Sequence, residues 1–278
     1  MLRQRIITAV IMAVLFVAAV VFLPLPWLAL LFGLVATAGA WEWSAMAGWQ
    51  SLLTRGVFVA VLPGLLYGLW WCCELGNQPS REMVQPWLGV ACLFWSIAML
   101  LVESYPKAAW LWRPPVIRSL MGWVILCGAW LSAVFLLTLA NGVLLLVLLV
   151  VGVAAADVGA YFSGRRWGKH KLAPDVSPGK TWEGLWGGVT AVLCVTVIVW
   201  MTLPRNYQHL QIESLLLMGL VLSGASVLGD LTVSMVKRAS GIKDSGAMLP
   251  GHGGLMDRID SIAGAGPVFA LGLILMGY

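Results

Sequence analysis

The sequence predicts an all-α, polytopic integral membrane protein with about nine transmembrane helices and a site at the cytoplasmic interface. Three observations predict it. Of the 278 residues, 60% are hydrophobic and 10% charged, against roughly 45–50% and about 25% in ordinary soluble domains. A soluble fold with so few charges would lack a polar shell, so lipid is the solvent for most of the chain. The apolar residues gather into nine stretches, each near the roughly 20 residues that a helix needs to cross about 30 Å of hydrocarbon. The basic residues fall almost entirely on one side of the alternation that those stretches define.

In order, the stretches are 6–23, 27–48, 56–73, 86–102, 119–139, 142–162, 184–203, 213–236 and 260–277. Behind Arg3 and Arg5 the first has the flank of a signal peptide, but its run is long for one and meets Pro24 instead of a small-residue cleavage site; it is expected to be retained. Pro24 and Pro26 mark the first turn, Pro79 and Pro86 the third loop, and Pro204 the seventh. With a cytoplasmic N-terminus, the inner segments carry 15 of the 17 Lys and Arg residues, leaving only Arg81 and Arg205 outside. That bias orients the whole set and accounts for the net charge of +5 without a nucleic-acid partner. The five cysteines, Cys72, Cys73, Cys92, Cys127 and Cys194, lie in or beside apolar runs, form no CxxC pair, and read as small membrane hydrophobes. There is no internal repeat, low-complexity tract or soluble domain.

Polar chemistry divides the chain in two. All six Asp and all three His lie between Asp157 and Asp260, whereas the first 156 residues hold no Asp and four Glu. Residues 1–140, about five spans, therefore read as a transmembrane scaffold. Residues 141–278, about four spans and two cytoplasmic loops, read as the catalytic region. Glu42, in WEWSAMAG, is the one acid well inside an N-terminal span. Two readings of it stay open: pairing with a base of the active face, or snorkelling toward the inner surface.

Three features of the second half point to a site. Asp157 lies near the inner end of span six. The loop RRWGKHKLAPDVSPGKTWE, from Arg165 to Glu183, is strongly basic. On span eight, Ser223, Ser226, Asp230, Ser234 and Lys237 follow spacings of 3, 4, 4 and 3 and so share one helix face. A Ser-rich packing seam with one tolerated carboxylate is the plain alternative for that face.

The segment after it weighs toward a site. GIKDSGAMLPGHGG, from Gly241 to Gly254, holds five Gly in fourteen residues, and glycines let backbone N–H groups close around a phosphate. Lys237, Arg238, Lys243 and Arg258 surround it with charge for phosphate oxygens. Asp244, Asp257 and Asp260 supply hard oxygens of the kind Mg²⁺ takes together with substrate phosphates. Any cytoplasmic loop carries bases; the interleaved acids are the informative part. His252 can donate to a phosphate or serve as an ordinary loop histidine, and His170 and His209 read as incidental. Gly179-Lys180-Thr181 mimics the end of a Walker A motif, but Pro174 stands where its first Gly is required and no strand is expected before it. Lys180 remains a candidate phosphate ligand outside any P-loop.

At these residues the chain resembles the phosphatidate cytidylyltransferase (CDP-diacylglycerol synthase) family. The family's signature, S-x-x-K-R-x4-K-D-x-G-x2-L-P-x-H-G-G-x-x-D-R-x-D, is met at every fixed position from Ser234 to Asp260. Asp157-x-x-Ala160-Tyr161 and Ser177-Pro178-x-Lys180-Thr181-Trp182-Glu183-Gly184 also look like the family's. Gly179 departs from it, since members commonly carry a Lys there. Close likeness covers roughly residues 150–265, and the N-terminal spans match in character only.

The resemblance implies an inner-membrane enzyme making CDP-diacylglycerol and pyrophosphate from CTP and phosphatidate, with Mg²⁺ as cofactor, membrane lipids around it and a homodimer as its assembly. It maps the metal-binding acids onto Asp230 and Asp257. The expected catalytic set is Asp230, Asp257, Lys237 and Arg258. Lys180, Ser177, Arg238, Lys243, Asp244, His252, Asp260 and Asp157 are expected to bind substrate. A transporter using Asp157 and Asp230 as relay sites would want acids near mid-membrane, broken helices and repeats; here the acids gather at one face. A CDP-alcohol phosphotransferase would carry a D-G-x2-A-R-type run, which is absent, while a polyprenol kinase shares the chemistry and stays open.

Overall fold

A computed structural model describes residues 2–77, 79–202, 211–248 and 253–277. Among these residues nine long helices follow the nine apolar stretches: α1 Leu2–Phe22, α2 Leu25–Ala47, α3 Leu52–Cys72, α4 Arg81–Glu103, α5 Pro115–Thr138, α6 Gly142–Trp167, α7 Trp182–Thr202, α8 Ile212–Ala239 and α9 Met256–Leu275. From α2 to α9, all eight are long and apolar enough to cross a membrane. Their outer faces expose Leu30, Leu53, Leu93, Leu100, Ile198 and Leu217, which water would penalise and acyl chains accept. The chain is a multi-pass membrane protein.

Several helices begin before their apolar run because polar residues cap them. The Ser51 and Ser80 hydroxyls accept from Thr54 N (3.1 Å) and Met83 N (3.2 Å) and start α3 and α4. Pro86 consequently lies inside α4, not in the preceding loop as the sequence suggested; it forgoes one ladder bond near the helix start. Likewise α6 runs on to Trp167, placing Arg165 and Arg166 in its last turn, where the helix dipole favours cations. An early start of α9 puts Asp257 in its first turn.

Among the described residues, the one departure from helices and their connecting loops is a small antiparallel hairpin, β1 Lys171–Ala173 with β2 Ser177–Thr181, where the sequence suggested an irregular loop. Pro174-Asp175 turns it, and Val176 N closes the turn on Ala173 O at 3.2 Å. Lys171 stands opposite Thr181 and Ala173 opposite Ser177. A short strand therefore does precede Lys180, contrary to expectation. Lys180 sits within β2 itself, however, and not in a loop opening a helix, so the geometry is still not that of a P-loop.

Two helix pairs carry the C-terminal half. On α6, Ala156, Gly159 and Gly164 meet Gly188, Gly187 and Gly184 of α7 backbone to backbone. Gly229 and Ala225 of α8 meet Asp260 and Gly264 of α9 in the same way. Such close approach replaces the hydrophobic drive that lipid removes. At the hairpin end, Arg118 of α5 donates to Met46 O (2.7 Å) and to Ser240 Oγ (3.1 Å), tying the ends of α2 and α8 together.

Candidate active site at the hairpin end

The end of the bundle that carries the hairpin collects acids and bases from α6, β2, α8 and α9. Asp230 of α8 is held from two sides. Its Oδ2 lies 2.7 Å from Lys180 Nζ of β2, and its Oδ1 accepts from the Ser234 hydroxyl one turn on, at 3.0 Å. The spacing of four read from the sequence is thus a contact. Seven residues later Lys237 Nζ lies 2.6 Å from Asp257 Oδ1 of α9. The other oxygen of Asp257 accepts from Ser245 N (3.0 Å) and Gly254 N (3.1 Å), drawing both ends of the glycine-rich loop onto one carboxylate.

The two pairs differ in access. The side chains of Lys180 and Asp230 are 24% and 32% exposed, those of Lys237 and Asp257 10% and 11%. The Asp230 pair is the more accessible of the two. Beside it opens a cleft of ≈ 480 Å³, lined by Asp157, Tyr161, Arg165, Lys180, Thr181 and Val227 among others. Asp157 lies within electrostatic range of Lys180, Asp230 and Arg258, and the buried Asp260 within range of Asp230, Lys237 and Lys180. Asp260 Oδ1 also accepts from Ser261 N at 2.7 Å.

The remaining sequence candidates scatter around this centre. Arg238 Nε donates to Val176 O at 3.2 Å, so it fastens the hairpin to α8. Ser177 opens β2 but does not line the cleft. Lys243 and Asp244 are exposed at the start of the glycine-rich loop, and Arg258, exposed on the first turn of α9, flanks Asp157 electrostatically. His252 lies outside the described residues.

Two acids beside this centre have roles in its architecture that were not legible from sequence reasoning about charge alone. Glu183, at the start of α7, accepts from Lys169 N (3.1 Å) and His170 N (3.2 Å), and its Oε1 lies 2.6 Å from His170 Nδ1. His170, expected to be incidental, therefore clasps the hairpin to α7. Among the described residues Glu42 pairs with no base, and it is buried instead of snorkelling; its carboxylate accepts from Ser245 Oγ, Leu255 N and Met256 N, in the glycine-rich loop and at the start of α9.

Chemically, hard carboxylate oxygens stand among ammonium and guanidinium groups, at one end of an otherwise apolar bundle. Among the described residues, no group of three or more His, Cys, Asp or Glu is arranged to enclose a metal. Mg²⁺ held by one or two carboxylates together with substrate phosphates needs no such cage, and Asp230 and Asp257 each offer oxygens now neutralised by a lysine. The residues present fit that mode of binding.

Comparison with known proteins agrees with this chemistry. The chain is 41% identical over 280 residues to a Pseudomonas aeruginosa protein named phosphatidate cytidylyltransferase, covering 100% of this chain and 99% of the relative. A Haemophilus influenzae protein of the same name is 39% identical over 97% of this chain and 98% of its own. A third, from Mycobacterium tuberculosis, is 30% identical over 94% of this chain and 79% of its own. The profile of the cytidylyltransferase family matches residues 3–276. With its acids and bases gathered at one end of the bundle, and with likeness running the length of the chain, the protein is a nucleotidyltransferase and belongs to the cytidylyltransferase family.

Proposed function

We propose that the chain is a Mg²⁺-dependent phosphatidate cytidylyltransferase, moving CMP from CTP to phosphatidate and releasing pyrophosphate. One observation carries the reading: Asp230·Lys180 and Asp257·Lys237, two acid–base pairs contributed by β2, α8 and α9, stand at the same end of the bundle beside a cleft into which Asp157, Arg165 and Lys180 face. The names of the relatives supply the substrates. A water-soluble nucleotide and a lipid-anchored phosphate can meet only at a membrane surface, and gathering of the charged groups at one end of an apolar bundle supports such a meeting.

A phosphatidate phosphate oxygen attacks the α-phosphorus of CTP in line. The new P–O bond forms as the bond to the α–β bridging oxygen breaks, and the electron pair leaves with pyrophosphate. An anionic nucleophile needs no general base, so the residues act by positioning and by neutralising charge. Lys180 and Lys237 exchange their carboxylates for phosphate oxygens when the substrates arrive. Arg258, Arg238 and Lys243 add charge around the triphosphate, and Asp157 and Asp260 orient the bases. Asp230 and Asp257, freed from their lysines, would hold Mg²⁺, which when bound supplies charge neutralisation and Lewis acidity at the phosphates.

The basic residues favour a cytoplasmic N-terminus and a site facing the cytoplasm in the inner membrane. A homodimer belongs to the same reading. Purified protein given labelled CTP and phosphatidate should form CDP-lipid and pyrophosphate, and lose the reaction in chelator. Absence of CDP-lipid with Mg²⁺ present would refute the assignment.

A further inference from the structure

Glu42 belongs to α2, in the half of the chain that the sequence marks as scaffold, and it is only 4% exposed. Burying a carboxylate is costly unless its oxygens are satisfied. Here Oε2 accepts from Ser245 Oγ (2.8 Å) and Met256 N (2.9 Å), and Oε1 accepts from Leu255 N (3.0 Å). Two of those donors are N–H groups at the start of α9, a helix whose N-cap residue, Leu255, makes no side-chain capping bond. Glu42 therefore caps α9 from another helix and meets the positive end of its dipole.

The same carboxylate shapes the glycine-rich loop. A methyl on Gly246 would strike Glu42 Oε1, and one on Gly254 would strike Ser245 Oγ and Glu42 Oε2. Glu42 alone fills the space at Gly246, whereas at Gly254 it shares it with Ser245 and the Gly246 backbone. Ser245 is also shared: its hydroxyl goes to Glu42 and its N–H to Asp257. Gly254 binds Asp257 while the next two N–H groups bind Glu42. Both ends of the loop are stapled by these two acids together.

We propose that Glu42 is a positioning residue for nucleotidyl transfer: it fixes the glycine-rich loop and the first turn of α9, and through them the place of Asp257. It touches no substrate. The inference rests on the site assigned above, and it makes part of the N-terminal half a structural partner in the chemistry.

The test uses the full chain in detergent or nanodiscs. Glu42→Gln keeps the shape but turns one acceptor into a donor facing backbone N–H groups. It should lower kcat for CMP transfer about ten- to a hundredfold, the scale of a lost charge-assisted hydrogen bond, with a smaller change in KM and a thermal midpoint lowered by only a few degrees, as the lost helix cap requires. Hydrogen exchange over residues 244–256 should rise while α5 and α8 stay protected; this readout holds whatever the reaction, so a chain that fails to transfer CMP sinks the assigned function without deciding Glu42. Gly246→Ala, which leaves α2 untouched, should cost a similar factor alone but nothing further on top of Glu42→Ala, because the group it strikes is gone. Wild-type kcat and exchange in Glu42→Gln, or a Gly246→Ala penalty that multiplies with that of Glu42→Ala, would overturn the proposal. If the Glu42 variants do not insert, Gly246→Ala alone decides it, and normal kcat and exchange there would overturn it as well.

Discussion

Lys237, near the end of α8, and Asp257, in the first turn of α9, are joined at 2.6 Å with about a tenth of each side chain exposed. The pair closes the end of the α8–α9 hairpin and sets the loop between them. Removing one member of a buried pair leaves an uncompensated group, a loss of roughly 3–5 kcal/mol. Asp257→Asn is therefore expected to lower the thermal midpoint and to abolish CMP transfer. Lys237→Met should do the same through the opposite charge. A variant of either residue with normal melting and normal transfer would contradict this account of the pair.

Asp230 gives the contrasting case. Its ion pair with Lys180 is more open to solvent than the Lys237 pair, so breaking it leaves a less costly uncompensated group. Asp230→Asn keeps an acceptor for the Ser234 hydroxyl, so the folded, inserted protein should survive with little change in melting. Transfer should nonetheless fall by about 10²–10³-fold or more, since the loss is of a charge acting at the phosphates. Near-normal incorporation of labelled CMP into lipid by this variant would remove Asp230 from the metal site.

These two aspartates also show what the sequence could and could not reveal. Helix positions follow from local pattern, because lipid demands continuous apolar runs; all nine stretches became helices, and the Ser234–Asp230 contact follows from a spacing of four. The glycine-rich loop was legible from composition. Glu42 was not, since its partners lie more than 200 residues away and include two backbone N–H groups, which have no letter in a sequence. Pairing of Lys180 with Asp230 was equally hidden: it depends on a hairpin, which the sequence was not expected to form, being laid against α8. Pro86 misled for a physical reason, as a proline near the start of a helix costs one bond and need not end it.

The hairpin itself is fastened by Glu183, which gathers two backbone N–H groups and the His170 ring. Glu183→Ala should free the hairpin and with it Lys180, while leaving the apolar α6–α7 seam intact. The expected result is a rise of about tenfold in KM for the nucleotide, the effect of losing one or two modest hydrogen bonds, at unchanged membrane insertion. His170→Ala, which removes only the ring contact, should produce a smaller shift in the same direction. Equal and near-wild-type KM values for both variants would mean that the clasp has no part in binding.

Metal dependence can be separated from catalysis by following melting instead of product. In the absence of nucleotide, chelator should leave the thermal midpoint unchanged, because the acids are already neutralised by Lys180 and Lys237. CTP with Mg²⁺ should raise it, by an amount equivalent to about 2.7 kcal/mol when the ligand stands at a hundred times its Kd. CTP with chelator should stabilise much less, since the lysines would then leave Asp230 and Asp257 facing the triphosphate without a cation between like charges. In Asp230→Asn the difference between the two conditions should shrink. Equal stabilisation by CTP with and without divalent cation, in the wild-type protein, would show that these carboxylates bind nucleotide through the lysines alone and would exclude the metal from the binding step.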